Sequence, residues 1–378
     1  MQKQKQERVL IAIFLLLIFG FSVTFWLLPK SSFSAEEKRA LQPAPEFSAA
    51  TVGDGTFAST VESYLSDHFP LRRELVGLHA YGSLICGNNG QNGIYFGKDG
   101  WLINKPVSVN PANFQQNLDS IKDFSQKEHL PAYLMAVPTT GFIMDDELPD
   151  AHEDYPDAQL LGEAKAKTEG AVQWVNLAGV LSSHSADAPL YYHTDHHWTS
   201  RGAYLAYDTF ACDVGFHPMA QAAFRVCTSG GFYGTTYAKS SFWFTRPDTL
   251  EVWQNPNLTA KVEICEDGQQ AKTSDNLFYW GQLKNEDQYP VFLNGNHSLV
   301  RLCNPNSSGK RLLIVKDSYA NCLAPFLLAH YSQIDMVDLR YFRKTAASQL
   351  VKQDRLTSIL FCYGLDDLVN DRNLSLLA

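Results

Sequence analysis

Two apolar runs that each end in a polar motif constrain this chain more than any other feature. Residues 189–192 lead into His193-Thr194-Asp195-His196-His197-Trp198, and residues 311–315 lead into Lys316-Asp317-Ser318-Tyr319-Ala320. A helical pattern follows each. Strands that feed helices in this way build a mostly parallel sheet with helices on both faces. The same rhythm recurs elsewhere. Residues 111–128 read as an amphipathic helix and 132–137 as a buried strand ending at Pro138. Thr199 or Ser200 can cap a helix running to about Cys212. After a helix from about Tyr319 to Tyr331, residues 334–339 and 358–363 resume the strand pattern. Residues 225–305 break the rhythm. They are rich in aromatic and β-branched residues, with turns at Gly230-Gly231, Asp267-Gly268 and Asn294-Gly295, and predict a β-rich insertion.

The amino end carries a second constraint. Lys3, Lys5 and Arg8 face only Glu7, and residues 9–28 then run without a charge. About 20 apolar residues rising about 1.5 Å each span the roughly 30 Å of bilayer hydrocarbon. Basic residues before the span keep the amino end cytoplasmic and export the remainder. A cleaved signal peptide is the rival reading, but no small-x-small site follows Trp26-Leu27-Leu28-Pro29-Lys30. The expected organisation is a cytoplasmic tail (1–8), a single-pass signal anchor (9–28), a linker (29–56) and an extracytoplasmic domain (57–378).

Charge and cysteines exclude several functions. The formal charge is −9, and the first eight residues are net positive, so the exported part is more acidic than the whole. Nucleic acid is not an expected partner for such a surface. The seven cysteines form no C-x-x-C pair, so no thiolate metal site is expected.

The two motifs can carry chemistry together. Ser318 sits where a strand gives way to a helix, so free backbone N–H groups and the helix dipole favour a developing oxyanion there. A serine hydroxyl needs an adjacent base, and His197 is the candidate. Asp195, two residues away, projects to the same side and can fix its tautomer. Asp317 reads as a cap for its own helix. A plainer reading stands beside each motif, since Asp-Ser is a common helix cap and Asp-x-His can occur by chance. A cation held by His193, Asp195, His196 and His197 is a further alternative. It is disfavoured because adjacent histidines on a strand point to opposite faces, so neither metal nor cofactor is expected.

Several stretches together resemble a known family. Asp-His-His-Trp-Thr-x-x-Gly-Ala, Lys-Asp-Ser-Tyr-Ala and Asp338-Leu339-Arg340-Tyr341-Phe342 are similar to the bacterial DHHW proteins, relatives of the alginate O-acetyltransferase ectodomains in the SGNH hydrolase-like group. Asp67-His68-Phe69-Pro70-Leu71-Arg72, Gly97-Lys98-Asp99-Gly100-Trp101-Leu102, Phe232-Tyr233-Gly234-Thr235 and Asn294-Gly295-Asn296-His297 extend the resemblance. It implies an SGNH-like α/β fold, three layers around a parallel sheet, with the serine block after the Asp–His block. It implies Ser318 as nucleophile with His197 and Asp195 completing a triad. Gly364-Leu365-Asp366-Asp367 resembles the group's Gly-x-Asn-Asp block with Asp366 in place of Asn, and a charged carboxylate there would oppose an oxyanion. Trp198, Tyr233, Tyr319 and Arg340 are the candidates for substrate contact. The implied activity is O-acetylation of an extracytoplasmic polysaccharide or cell-wall glycan, with a membrane-bound O-acyltransferase as acetyl donor. An esterase using water, or a silent glycan-binding scaffold, would keep the same fold.

Overall fold

The computed structural model describes residues 2–307 and 309–377. Met1 and Ala378, the outer bounds of the expected tail and domain, lie outside them. Helix α1 (Gln2–Leu27) holds the apolar run, and Gln4–Leu27 is long and apolar enough to cross a membrane. Only 6% of its apolar window is buried, unlike a core helix, which is consistent with a single-pass anchor. A small ribbon, β1 (Phe33–Ser34) and β2 (Arg39–Ala40), follows. Then come α2 (Ala49–Gly53), α3 (Thr56–Asp67) and α4 (Arg72–Ile85). The stretch read as a linker is therefore partly ordered, with Arg39 donating to Asp67 of α3 at 2.9 Å. Strands β3 (Gly90–Gln91), β4 (Ile94–Phe96) and β5 (Leu102–Asn104) form a three-stranded antiparallel sheet.

The main sheet takes strands from most of the remaining chain. They are β6 (Ala132–Val137), β7 (Gln173–Trp174), β10 (Lys261–Cys265), β11 (Lys272–Ser274), β12 (Leu299–Cys303), β13 (Arg311–Lys316), β14 (Gln333–Val337) and β15 (Ser358–Gly364), in the order β11-β10-β12-β14-β13-β15-β6-β7. The five strands from β14 to β7 are parallel. The other three are antiparallel, so the sheet is mixed where the sequence predicts a parallel one. The reason is the connections. Parallel neighbours need a crossover of a dozen or more residues, usually a helix. Residues 261–303 hold strands and turns with no α-helix between them. The β-rich stretch is thereby divided: β8 (Arg225–Phe232) and β9 (Asp248–Gln254) pair as a separate ribbon, while β10 to β12 extend the main sheet.

Both faces of the sheet are covered. On β13, Leu312 and Ile314 enter one apolar core while Leu313 and Val315 enter the other. That alternation is why the strand reads as unbroken apolar residues. Helices α8 (Leu177–His184), α9 (Ser200–Asp213) and α11 (Tyr319–Leu327) supply the first core. Helices α5 (Pro111–Glu128), α7 (Asp157–Thr168), α12 (Ala347–Gln353) and α13 (Leu365–Asn370) supply the second. Each fully buried Leu, Ile or Phe contributes about 1.5–3 kcal/mol, so the parallel half is a rigid platform. Two short helices flank the site, α6 (Thr140–Ile143) and α10 (Thr235–Ser240).

Candidate active site

The turn after β13 is locked by Asp317. Its backbone N–H donates to the Cys362 carbonyl on β15 at 3.2 Å. Its carboxyl accepts from the Tyr319 N–H at 2.9 Å and the Gly364 N–H at 2.6 Å. Asp317 thus closes the strand-to-helix turn, as its sequence position implies. Burial, then the charge of Asp367, pushes its carboxyl up to about 8. Ser318 is the N-cap of α11 but makes no side-chain cap bond, so its hydroxyl is free for another partner. Its backbone N–H has no acceptor among the described residues, and it lies where the helix dipole is positive.

A second clamp holds the Asp-His-His-Trp loop. Tyr191 and Trp198 close it with an antiparallel bridge, and the Thr199 N–H donates to Leu190 O at 2.8 Å. Thr199 then caps α9, accepting from the Gly202 N–H. Asp248, at the start of β9, accepts from the His193 N–H, the Thr194 N–H and the Thr194 hydroxyl at 3.0, 2.8 and 2.6 Å. Inside the loop, Asp195 Oδ1 accepts the His197 N–H at 2.9 Å and faces His197 Nδ1 at 2.5 Å. Asp195 Oδ2 accepts the Thr235 N–H of α10 at 2.7 Å. His197 Nε2 lies 2.7 Å from Ser318 Oγ. Three side chains, the last of them over a hundred residues away in the chain, form one continuous hydrogen-bonded line.

The electrostatics suit proton transfer along that line. Burial alone would raise the Asp195 carboxyl. The neighbouring His197 and His196, with the hydrogen bonds, outweigh it and hold Asp195 well below the usual carboxylate range. An ionised Asp195 fixes the His197 proton on Nδ1 and leaves Nε2 to accept from Ser318. Burial, reinforced by His197, pushes His196 down to about 3. Its Nδ1 pairs with the Thr235 hydroxyl at 2.6 Å. Asp195 and His197 are buried and Ser318 is half-buried, so the line opens to solvent at the serine.

Gly234 is required by this packing. A Cβ there would stand 2.1 Å from Asp195 Cβ and 2.3 Å from its Oδ2. Gly234→Ala is therefore expected to push Asp195 off the Thr235 N–H. Overpacking of this kind costs about 1–3 kcal/mol. For a site that works through Asp195, activity should fall at least about 10²-fold, since misplacing a reacting group by an ångström costs that much. Thermal denaturation and ester turnover measured on the same preparation check both parts.

Beside the serine lies a cleft of about 460 Å³ whose walls include Thr140, His196, Lys239, Asp317, Tyr319 and Asp366. Burial, then the charges of Asp157 and Asp367, pushes Asp366 up to about 7. An unfolded Asp titrates near 4. Between those values the folded protein holds a proton that the unfolded chain has released, so stability falls as pH rises from about 4 to about 7. Asp366→Asn should remove the share of that slope that Asp366 contributes. Its Tm is expected to match the parent below about pH 4 and exceed it by a few degrees above pH 7; equal Tm values throughout would refute the assignment.

The structure sorts the candidates for substrate contact. Tyr319 lines the cleft and donates its hydroxyl to the His196 carbonyl at 2.5 Å. Trp198 does not reach the cleft. It is fully buried in the core, edge-on to Tyr319 at 5.3 Å, because closing the loop bridge turns its ring inward. Tyr233 is turned away too, stacked on Tyr237 with its hydroxyl donating to Thr245 O. Arg340 is held by Asp338 through two bonds of 2.8 and 2.6 Å. The donor atoms of Asp195, His196 and His197 lie within 4.8 Å of one another. They are engaged, however: both His197 nitrogens and the His196 Nδ1 already face protein partners. Sequence reasoning missed Tyr289, which stacks flat on His197 at 3.9 Å and 13°, and the clamps Asp248 and Thr235. Only the Phe232–Thr235 stretch carried any signal for these.

Comparisons with known proteins show the family and the fold. A family model described as DHHW protein matches residues 125–337, more than half of the chain. The probable alginate O-acetylase AlgJ of Pseudomonas syringae pv. tomato is 27% identical over 164 residues, 41% of this chain and 42% of that protein. The chain therefore matches less than half the length of this curated relative. A solved DHHW family protein from Eubacterium siraeum aligns with a TM-score of 0.64 at 24% identity, over 76% of this chain and 95% of that one. Bacillus cereus PatB1, in a structure with a sulfonyl adduct, aligns at 0.64 and 19% identity, over 74% and 96%. At these identities the two solved structures share the fold.

Proposed function

The chain belongs to the DHHW protein family, and from that premise we propose that it is an extracytoplasmic O-acetyltransferase using Asp195, His197 and Ser318. The observation that carries this reading is the 2.7 Å contact between His197 Nε2 and Ser318 Oγ, backed by Asp195 on Nδ1. In the first half-reaction His197 Nε2 takes the Ser318 hydroxyl proton as Oγ attacks the donor's acyl carbonyl. The oxyanion is met by the Ser318 N–H at the start of α11. The tetrahedral intermediate expels the leaving group, which takes the proton from His197, and leaves acetyl-Ser318. In the second half a sugar hydroxyl gives its proton to His197 and attacks that ester. Collapse releases the O-acetyl sugar and returns the proton to Ser318.

The relative named as a probable alginate O-acetylase supports a polysaccharide or cell-wall glycan as acceptor. The apolar helix Gln4–Leu27 supports the anchored organisation, with residues 9–28 in the membrane, 1–8 on the cytoplasmic side and the domain from 57 onward outside. A donor delivered by a membrane-bound O-acyltransferase fits that placement. The test is partition of the acetyl group. The full-length protein in detergent, given p-nitrophenyl acetate and a set of acidic and neutral oligosaccharides, is expected to yield O-acetyl oligosaccharide. Release of acetate alone, at a rate no oligosaccharide changes, would make it an esterase.

A further inference from the structure

Helix α4 carries an apolar stripe on its outer face. Leu71, its N-cap, and Leu75, Leu78 and Ile85 are 61%, 41%, 70% and 86% exposed. At about 100° per residue these four fall within roughly 80° of the helix circumference. Phe69 and Leu65 continue the patch toward α3. The opposite face of α4 is fully committed. Gly77 and Ala80 are buried, a Cβ at Gly77 would meet the Trp243 ring at 2.7 Å, and the Trp243 N–H donates to Arg73 O. Four large aliphatic side chains aligned on a solvent face are more than scattered exposure explains.

The occupant is indicated by where α1 ends. Phe21 of α1 stacks on Phe69 at 5.1 Å, and Phe25 meets Tyr64 of α3 edge-on at 5.9 Å. The stripe is therefore continuous with the carboxyl end of the apolar helix. Phe21 lies six residues before Leu27, about 9 Å along the axis. That depth falls within the roughly 5–10 Å to which interfacial helices bury their apolar faces. Basic charge does not carry this role, and Glu74, exposed at the edge of the stripe, lies 3.9 Å from Arg73. Arg72, Arg73 and Arg39 are paired with Glu37, Glu36 and Asp67, so the helix pair offers lipid an apolar face rather than a basic one.

We propose that α3 and α4 lie in the outer surface of the phospholipid bilayer, with Leu71, Leu75, Leu78 and Ile85 inserted among the acyl chains. This rests on α1 being the anchor. The contact fixes the height of the active site. Helix α4 grips Trp243, just beyond α10, whose first N–H holds Asp195. The loop that holds Asp195 is thereby tied, through α10 and Trp243, to the helix pair on the membrane. Because the insertion is apolar, zwitterionic lipid should suffice and salt should not release it.

The test uses full-length protein reconstituted in phosphatidylcholine vesicles. Leu78→p-benzoylphenylalanine and Ile85→p-benzoylphenylalanine replace exposed side chains and should fold as the parent does. On irradiation each is expected to gain the mass of one phospholipid, while the same substitution at exposed Lys165 gains none. Retention in the vesicles after alkaline carbonate reports the anchor by itself, so loss of α1 insertion is separable from failure of the stripe. A protein that stays membrane-bound yet shows no lipid adduct at Leu78 and Ile85 overturns the proposal. So does a crosslink there to a second copy of the chain.

Discussion

Ser318→Ala is expected to leave no acetyl-enzyme and to lower ester turnover at least about 10⁴-fold, the scale on which losing the nucleophile of a catalytic triad acts. Intact mass after incubation with p-nitrophenyl acetate reads this directly. The parent should gain one acetyl group and the variant none. Stability is the control. Among the described residues Ser318 Oγ bonds only to His197 and caps no backbone group, so Tm should hold near the parent value. An acetyl adduct that persists in the variant would place the nucleophile elsewhere. A parent that never forms an adduct would leave a family member that keeps the fold without acyl transfer.

Asp195→Asn is expected to cost about 10⁴ in turnover for a different reason. The amide occupies the same volume but can donate to His197 Nδ1, which favours the tautomer carrying its proton on Nε2. That tautomer cannot accept from Ser318, and a loss of about 10⁴ accompanies the same change in well-studied serine hydrolases. Acid stability supplies a second readout. The Asp195 carboxyl is held well below the usual range in the folded protein. It therefore contributes stability that is fully present above the unfolded value near 4 and is lost as pH falls toward its folded value. The Asn variant lacks that contribution, so its stability should vary less with pH below about 4. A variant that keeps parental turnover would show that Asp195 only shapes the loop.

Much of this was legible in the residues. Short apolar runs feeding helical patterns are local signals, and β6, β13, β14 and β15 all arise where such runs occur. The Asp195–His197 pair was legible for the same reason, since a spacing of two residues in one turn is a local distance. Ser318 was legible as a residue at a strand-to-helix junction. The direction of the antiparallel strands was less so, because strand direction depends on the lengths of connections and on which edge remains open.

What the sequence determined by itself is the set of elements and the chemistry available to them. It contains an apolar helix long enough to span a bilayer, an α/β alternation, an Asp-x-His turn and a serine at a helix start. Tertiary structure alone decided which side chains meet. The 2.7 Å approach of His197 to Ser318 depends on β13 and the bridged loop at Tyr191 and Trp198 converging across the first core. Trp198 belongs to that core rather than to the cleft, because the loop that turns His197 toward Ser318 must turn its neighbour the other way. Tyr289 over His197, Gly234 under Asp195 and Asp248 behind Thr194 have the same origin. They come from segments 39 to 92 residues away in the chain. Contacts over such separations are selected by the packing of the whole domain, which local periodicity does not encode.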